Sequence, residues 1–145
     1  MSPIATGYLV TSIASGVMLV VAWRWPRFGR LLFAVLFGGA AVFNAVNALR
    51  SPQVYVEGFA PHAIAPMRQL IERVVSLAPD AFVLAVAVGQ LLVAAALVAG
   101  RGVFLVLGVA GAASFLVGIS WLLVGAAFPT NLVLAAGVLL LLRQR

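Results

Sequence analysis

From Gly102 to Leu142 the chain reads GVFLVLGVAGAASFLVGISWLLVGAAFPTNLVLAAGVLLLL, 41 residues without a charge. A helix crosses a hydrocarbon core of about 30 Å with roughly 20 residues, so this stretch holds twice what one crossing needs. Ala127-Phe128-Pro129-Thr130-Asn131 interrupts it with a helix-breaking proline. The reading is therefore two helices, Val103–Ala126 and a short Thr130–Leu142. Three more uncharged stretches are long enough to cross: Ile4–Trp23, reaching about Trp25 with its flanking tryptophan, Leu31–Leu49 and Ala81–Gly100. The fold class that follows is all-α. It is an integral-membrane helical bundle of four to five transmembrane helices, forming one domain over residues 1–145.

Composition agrees, with 65% apolar and 8% charged residues, against roughly 45–50% and about 25% in an average soluble domain. The net charge of +6 comes from nine Arg and three acids. The Arg are scattered singly or in short groups rather than gathered into a basic face, which argues against nucleic acid as a partner. The absence of Cys excludes disulfides, iron–sulfur clusters, thiolate zinc sites and cysteine nucleophiles within the chain. A single His, His62, excludes a bis-histidine haem and an HExxH metal site.

Short cytoplasmic loops accumulate Arg. Arg24, Arg27 and Arg30 place the first loop inside, which puts the second outside with Arg50, Arg68, Arg73 and all three acids, Glu57, Glu72 and Asp80. Arg101 then falls inside. Five crossings also bring Arg143 and Arg145 inside, whereas four erase the bias, so the expectation is five crossings with the N-terminus outside. The first segment lacks a basic n-region and is followed by Arg24-Trp25-Pro26-Arg27, so it reads as a retained helix rather than a signal peptide. Trp23 and Trp25 read as an inner aromatic belt and Trp121 as part of an outer one. Small residues recur at helical spacing in Gly38, Ala41, Ala45 and Ala48 and in Gly111, Ser114, Gly118 and Gly125, a pattern that permits close helix packing.

Ser51–Asp80 is the one long connection, and such loops are usually folded or functional. Its first half, to His62, is punctuated by Pro and Gly and is expected to be irregular. From Pro66 to Ala78 the spacing predicts an amphipathic external helix, with Met67, Leu70, Ile71, Val74, Val75 and Ala78 on one face. Arg68 and Glu72 are spaced for an i,i+4 pair on the other face.

Polar side chains within spanning helices need partners. Asn44 and Asn47 lie one turn apart on the second segment, and Gln90 lies in the third at a depth similar to Asn44. One reading is a structural amide clamp between two helices. The other is a pocket opening outward beneath the loop, with Asn44, Asn47, Arg50, Tyr55, His62 and Gln90 as ligand-binding candidates for a quinone carbonyl or a lipid head group. No ionisable residue lies deep in a span, which disfavours proton relays and ion-coupled pumps.

Asn44-x5-Arg50-Ser51-Pro52-x-x-Tyr55, then Pro61, the Gly89-Gln90 helix, Arg101 and Phe128-Pro129-Thr130-Asn131 resemble the layout of small DoxX-like membrane proteins. The likeness spans about residues 33–131. Family members carry a Gly-x-x-Glu helix and a Pro-Ala-Asn turn, where this chain has Gln90 and Thr130. The resemblance implies a compact helical bundle associated with membrane oxidoreductases or quinone chemistry.

The leading expectation is a noncatalytic accessory or ligand-binding subunit of a larger membrane complex, respiratory or envelope-related, in the inner (plasma) membrane. Its partners would be membrane lipid and either other membrane subunits or further copies of itself. No catalytic residues and no metal site are assigned. No cofactor is held by the chain's own ligands, and quinone or lipid is the candidate bound molecule. A DoxX-like quinone-interacting oxidoreductase subunit is the alternative, with its redox group supplied by a partner. A small-molecule transporter is the second alternative, disfavoured by the lack of an internal repeat.

Overall fold

The computed structural model describes residues 2–126 and 128–144. Ala127 and Arg145, read above as part of the break and of the inner charge cluster, lie outside the described residues. Seven α-helices and no strand occur among the described residues: α1 Pro3–Arg24, α2 Pro26–Arg50, α3 Gln53–Phe59, α4 Ala65–Arg73, α5 Pro79–Ala99, α6 Gly102–Ile119 and α7 Thr130–Leu140. Four of them, α1, α2, α5 and α6, are long and apolar enough to cross a membrane. The chain is an all-α bundle and a membrane protein.

Prolines set the helix starts. Pro3, Pro26, Pro66 and Pro79 occupy first-turn positions, where the missing N–H has no intrahelical partner to lose. Because Pro26 opens α2, that helix begins five residues before Leu31, and Arg27 and Arg30 lie on it rather than in a loop. Trp25 is the entire connection. Its N–H donates to Val21 O at 2.7 Å, and its carbonyl accepts from Gly29 N at 2.9 Å. So tight a reversal requires a glycine at position 29, since a Cβ there would lie 2.6 Å from Ala22 Cα. At the same end of the bundle α5 stops at Gly100, whose φ of +66° is the left-handed C-cap that glycine adopts without steric cost.

The long helices form a closed ring. α1 packs on α2, α2 on α5, α5 on α6, α6 on α7, and α7 back on α1. The fully buried side chains, among them Phe33, Leu97, Val109, Val138 and Leu141, all come from the half of the bundle nearest the α1–α2 turn. There α6 approaches α5 closely, a Cβ at Gly111 meeting Val93 at 2.9 Å. In the second row of small residues Ser114, by contrast, is exposed.

The external segment is more ordered than its composition predicts. Ser51–His62, expected to be irregular, forms α3 and a 3₁₀ turn at Ala60–His62. Pro52 lies just before α3, where its missing donor does no harm, and a tertiary contact secures the far end. Arg68, expected beside Glu72, reaches back to donate from Nε to Ala60 O at 3.1 Å and from Nη2 to Ala63 O at 3.2 Å. α4 ends at Arg73 rather than continuing to Ala78. The Ser76 hydroxyl donates to the Glu72 carbonyl, and Ala78, before Pro79, leaves the helical region with φ −152° and ψ 70°. Ile71 and Val75 are buried with Ala60 and Ala63 in a small core of their own, whereas Val74 and Ala78 are exposed.

α6 leaves the α conformation at Ile119, earlier than residue 126. A 3₁₀ stretch, Ser120–Ala126, follows, broken at Leu123 with φ +50°. The Phe128–Pro129 bond is cis, and α7 then runs to Leu140 with a 3₁₀ turn through Gln144. α7 and its turn are about 24 Å long. Asn131 lines the same cap-side cavity as Tyr55 of α3, and Arg143 lines a depression at the opposite end with Arg24 and Trp25.

Candidate functional site

The half of the bundle under the external segment is hollow where the other half is packed. A cavity of about 560 Å³ lies between the capped halves of α2, α5, α6 and the start of α7, roofed by α3 and α4. This volume is in the range of roughly 300–1,000 Å³ typical of small-molecule sites. Phe37 and Phe115 face each other edge-on across the wall, ring centroids 5.8 Å apart. Met67, Leu70, Ile71 and Val75 close it from above, so the apolar face of α4 covers the cavity as well as the cap's own core. Leu70 and Phe82 line it and are also 41% and 43% exposed, which marks where it opens at the bundle surface.

Of the 21 residues lining this cavity, four are polar and none is charged: Asn44, Tyr55, Gln90 and Asn131. Three of these are linked. The Tyr55 hydroxyl donates to Asn44 Oδ1 at 2.7 Å, and Asn44 Nδ2 donates to Gln90 Oε1 at 2.8 Å. The relay ties the cap to α2 and α2 to α5. It also has a direction, because each amide accepts through its oxygen from the group above it and offers its nitrogen onward. Its last member, the Gln90 amide nitrogen, carries two N–H donors and can accept nothing. Gln90 is buried, 4% exposed, on a helix otherwise apolar in this region. The site can therefore receive a neutral, largely apolar molecule that brings an oxygen acceptor.

Three of the six candidates from the sequence thus meet at the cavity, and three do not line it. Asn47 is half-buried away from it, and Arg50 and His62 are exposed. Asn47 lies within the arc of α2 that faces the cavity, between Leu36 and Asn44 in rotation, but about one turn past Asn44, the last α2 residue of the wall, whereas Arg50 stands about 120° around the helix from Asn44 at 3.6 residues per turn. His62 ends the 3₁₀ turn of the cap and points outward while its neighbours Ala60 and Ala63 are buried. The pocket beneath the loop exists, without these three residues in its wall.

Asn131 is the polar lining residue that sequence reasoning passed over as a site candidate. It follows the Pro129 break, and the signals available were an amide within the first turn of an apolar helix and its place in the Phe128-Pro129-Thr130-Asn131 turn. Comparison with protein-family profiles, characterised proteins and solved structures finds no match to this chain.

Proposed function

We propose that the chain is a noncatalytic subunit of a larger complex in the inner membrane, binding a quinone or the ester region of a lipid in the cavity under its external cap. The observation that carries this reading is the Tyr55–Asn44–Gln90 relay, which ends on amide donors in an otherwise apolar chamber. A quinone or ester carbonyl is an acceptor for those donors, while its apolar remainder suits walls built from Phe37, Phe115 and Leu134. Asn44, Tyr55, Gln90 and Asn131 also belong to the residues that resemble DoxX-like proteins, and that likeness favours the quinone within this reading.

The test is saturable binding of decylubiquinone, and separately of dioleoylphosphatidylcholine, to the purified full chain in detergent. Gln90→Leu should weaken the preferred ligand roughly fivefold to tenfold, in proportion to one lost hydrogen bond of about 1 kcal/mol. His62→Ala, outside the cavity, should not. Absence of saturable binding of both molecules removes the ligand reading. Turnover of a reduced quinone by the isolated chain removes the noncatalytic one.

A further inference from the structure

At the opposite end of the bundle from the cap, chain-distant basic residues converge on a second hollow. Arg24 ends α1, Arg27 lies in the first turn of α2, and Arg143 follows α7. All three are exposed, and with Trp25, Pro26 and Phe28 they line an open surface depression of about 420 Å³. Nothing acidic neutralises them, since every acidic residue of the chain falls between Glu57 and Asp80, in or next to the cap. The helix ends divide among them: Arg27 lies in the first turn of α2, which has no acidic residue and no side-chain cap, while Arg24 and Arg143 lie in the last turns of α1 and of the segment after α7, where a positive charge is favoured. Three guanidinium groups in one depression with no acid of the described residues among its walls suit an anion.

The surroundings define the carrier of that anion. Trp25 is 57% exposed with the Arg24 guanidinium 5.8 Å over its ring, and Trp23 beside it is 60% exposed. These are the amphipathic rings of a membrane interface. From Phe28 in the pocket wall, an exposed apolar stripe continues along α2 through Leu32 and Val35, an acyl-chain track leading away from the charges. Arg30, one turn further along α2, is committed elsewhere, donating to Gly100 O.

We propose that this pocket holds the phosphate of an anionic phospholipid, with Arg24, Arg27 and Arg143 on its oxygens and the acyl chains lying along α2. Guanidinium groups match phosphate geometry by paired hydrogen bonds, and basic pockets between membrane helices favour such head groups. The site is independent of the cavity under the cap.

The experiment is native mass spectrometry of the full chain in nonionic detergent with equimolar dioleoylphosphatidylglycerol and dioleoylphosphatidylcholine. Selective retention of phosphatidylglycerol is expected, reduced roughly fivefold by Arg143→Gln and likewise by Arg27→Gln, a loss of about 1 kcal/mol each. Arg101→Gln, at the same end but outside the pocket, should leave retention unchanged. Equal retention of the two lipids, or an Arg101→Gln loss as large as that of Arg143→Gln, overturns the site in favour of general surface charge. Stabilisation by inorganic phosphate with no preference for phosphatidylglycerol overturns the lipid as its source.

Discussion

Asn44 on α2 and Gln90 on α5 are joined by a 2.8 Å hydrogen bond inside the bundle, the amide nitrogen of the first donating to the amide oxygen of the second. The other side-chain hydrogen bond between these helices runs from Arg30 of α2 to the carbonyl of Gly100, the C-cap of α5, at the far end of the bundle. Polar bonds between membrane helices contribute about 0.6 kcal/mol on average and up to about 2. Asn44→Leu and Gln90→Leu should therefore each destabilise the protein by about 1 kcal/mol. The double variant should cost less than the sum, because each single variant strands the other's amide. Reversible unfolding in mixed micelles measures the cycle, and strict additivity would show that the bond carries no energy.

That contact was legible in the sequence, and the reason is physical. Amides are expensive in hydrocarbon, so two at similar depth on different helices are each other's obvious partners. The helical class was legible on the same ground, from uncharged stretches of crossing length. The cap was not. Gly58 and the prolines at 52 and 61 read as breakers, yet side-chain bonds from Tyr55 of α3 to Asn44, and from Arg68 to Ala60 and Ala63 just after α3, hold the segment, and helix propensity does not register such bonds. Likewise, Asn47, Arg50 and His62 are polar and near the right end of the bundle. Asn47 lies one turn past Asn44, where the α2 wall ends, Arg50 is turned about 120° away, and His62 faces outward, so a count of depth does not resolve which of them reaches the wall.

Arg68 fixes the cap by donating to two carbonyls at the end of the α3 region, Ala60 and Ala63. Replacing it with Met keeps much of the stem and removes both bonds. Limited proteolysis should then cut faster between residues 60 and 64, several-fold for a loss of about 1 kcal/mol in local opening. Arg68→Lys should rescue only part of this, because an ammonium lacks the planar fork that reaches two acceptors. An unchanged cutting rate in Arg68→Met would mean that apolar packing of Ile71 and Val75 alone holds the segment.

The position of Arg143 bears on the number of crossings. It shares a pocket with Arg24 and Arg27, although the chain reaches it from Asn131 in the cap-side cavity. Single cysteines placed at 27, 101 and 143 in this naturally Cys-free chain should be labelled from one side of the membrane, and those at 57 and 73 from the other. Residue 143 labelled from the same side as 57 would reduce the crossings to four.

Gly29 and Gly39 lie on the same helix and predict opposite outcomes for the same substitution. A methyl group on Gly29 would lie 2.6 Å from Ala22 Cα and 3.0 Å from Ala22 N. Both are backbone atoms of a helix that reverses through the single residue Trp25, so neither can move aside without opening the α1–α2 turn. Overpacking of this kind costs about 1–3 kcal/mol and sometimes more, and here it is set against backbone rather than a yielding side chain. Gly29→Ala should therefore lower the thermal midpoint by several degrees or prevent recovery of folded protein. At Gly39 nothing lies within 4 Å of the added carbon, and alanine is the better helix former by about 1 kcal/mol. Gly39→Ala should accordingly be neutral or raise the midpoint. Equal tolerance of both substitutions would mean that α1 and α2 do not meet as closely as the Trp25 reversal requires.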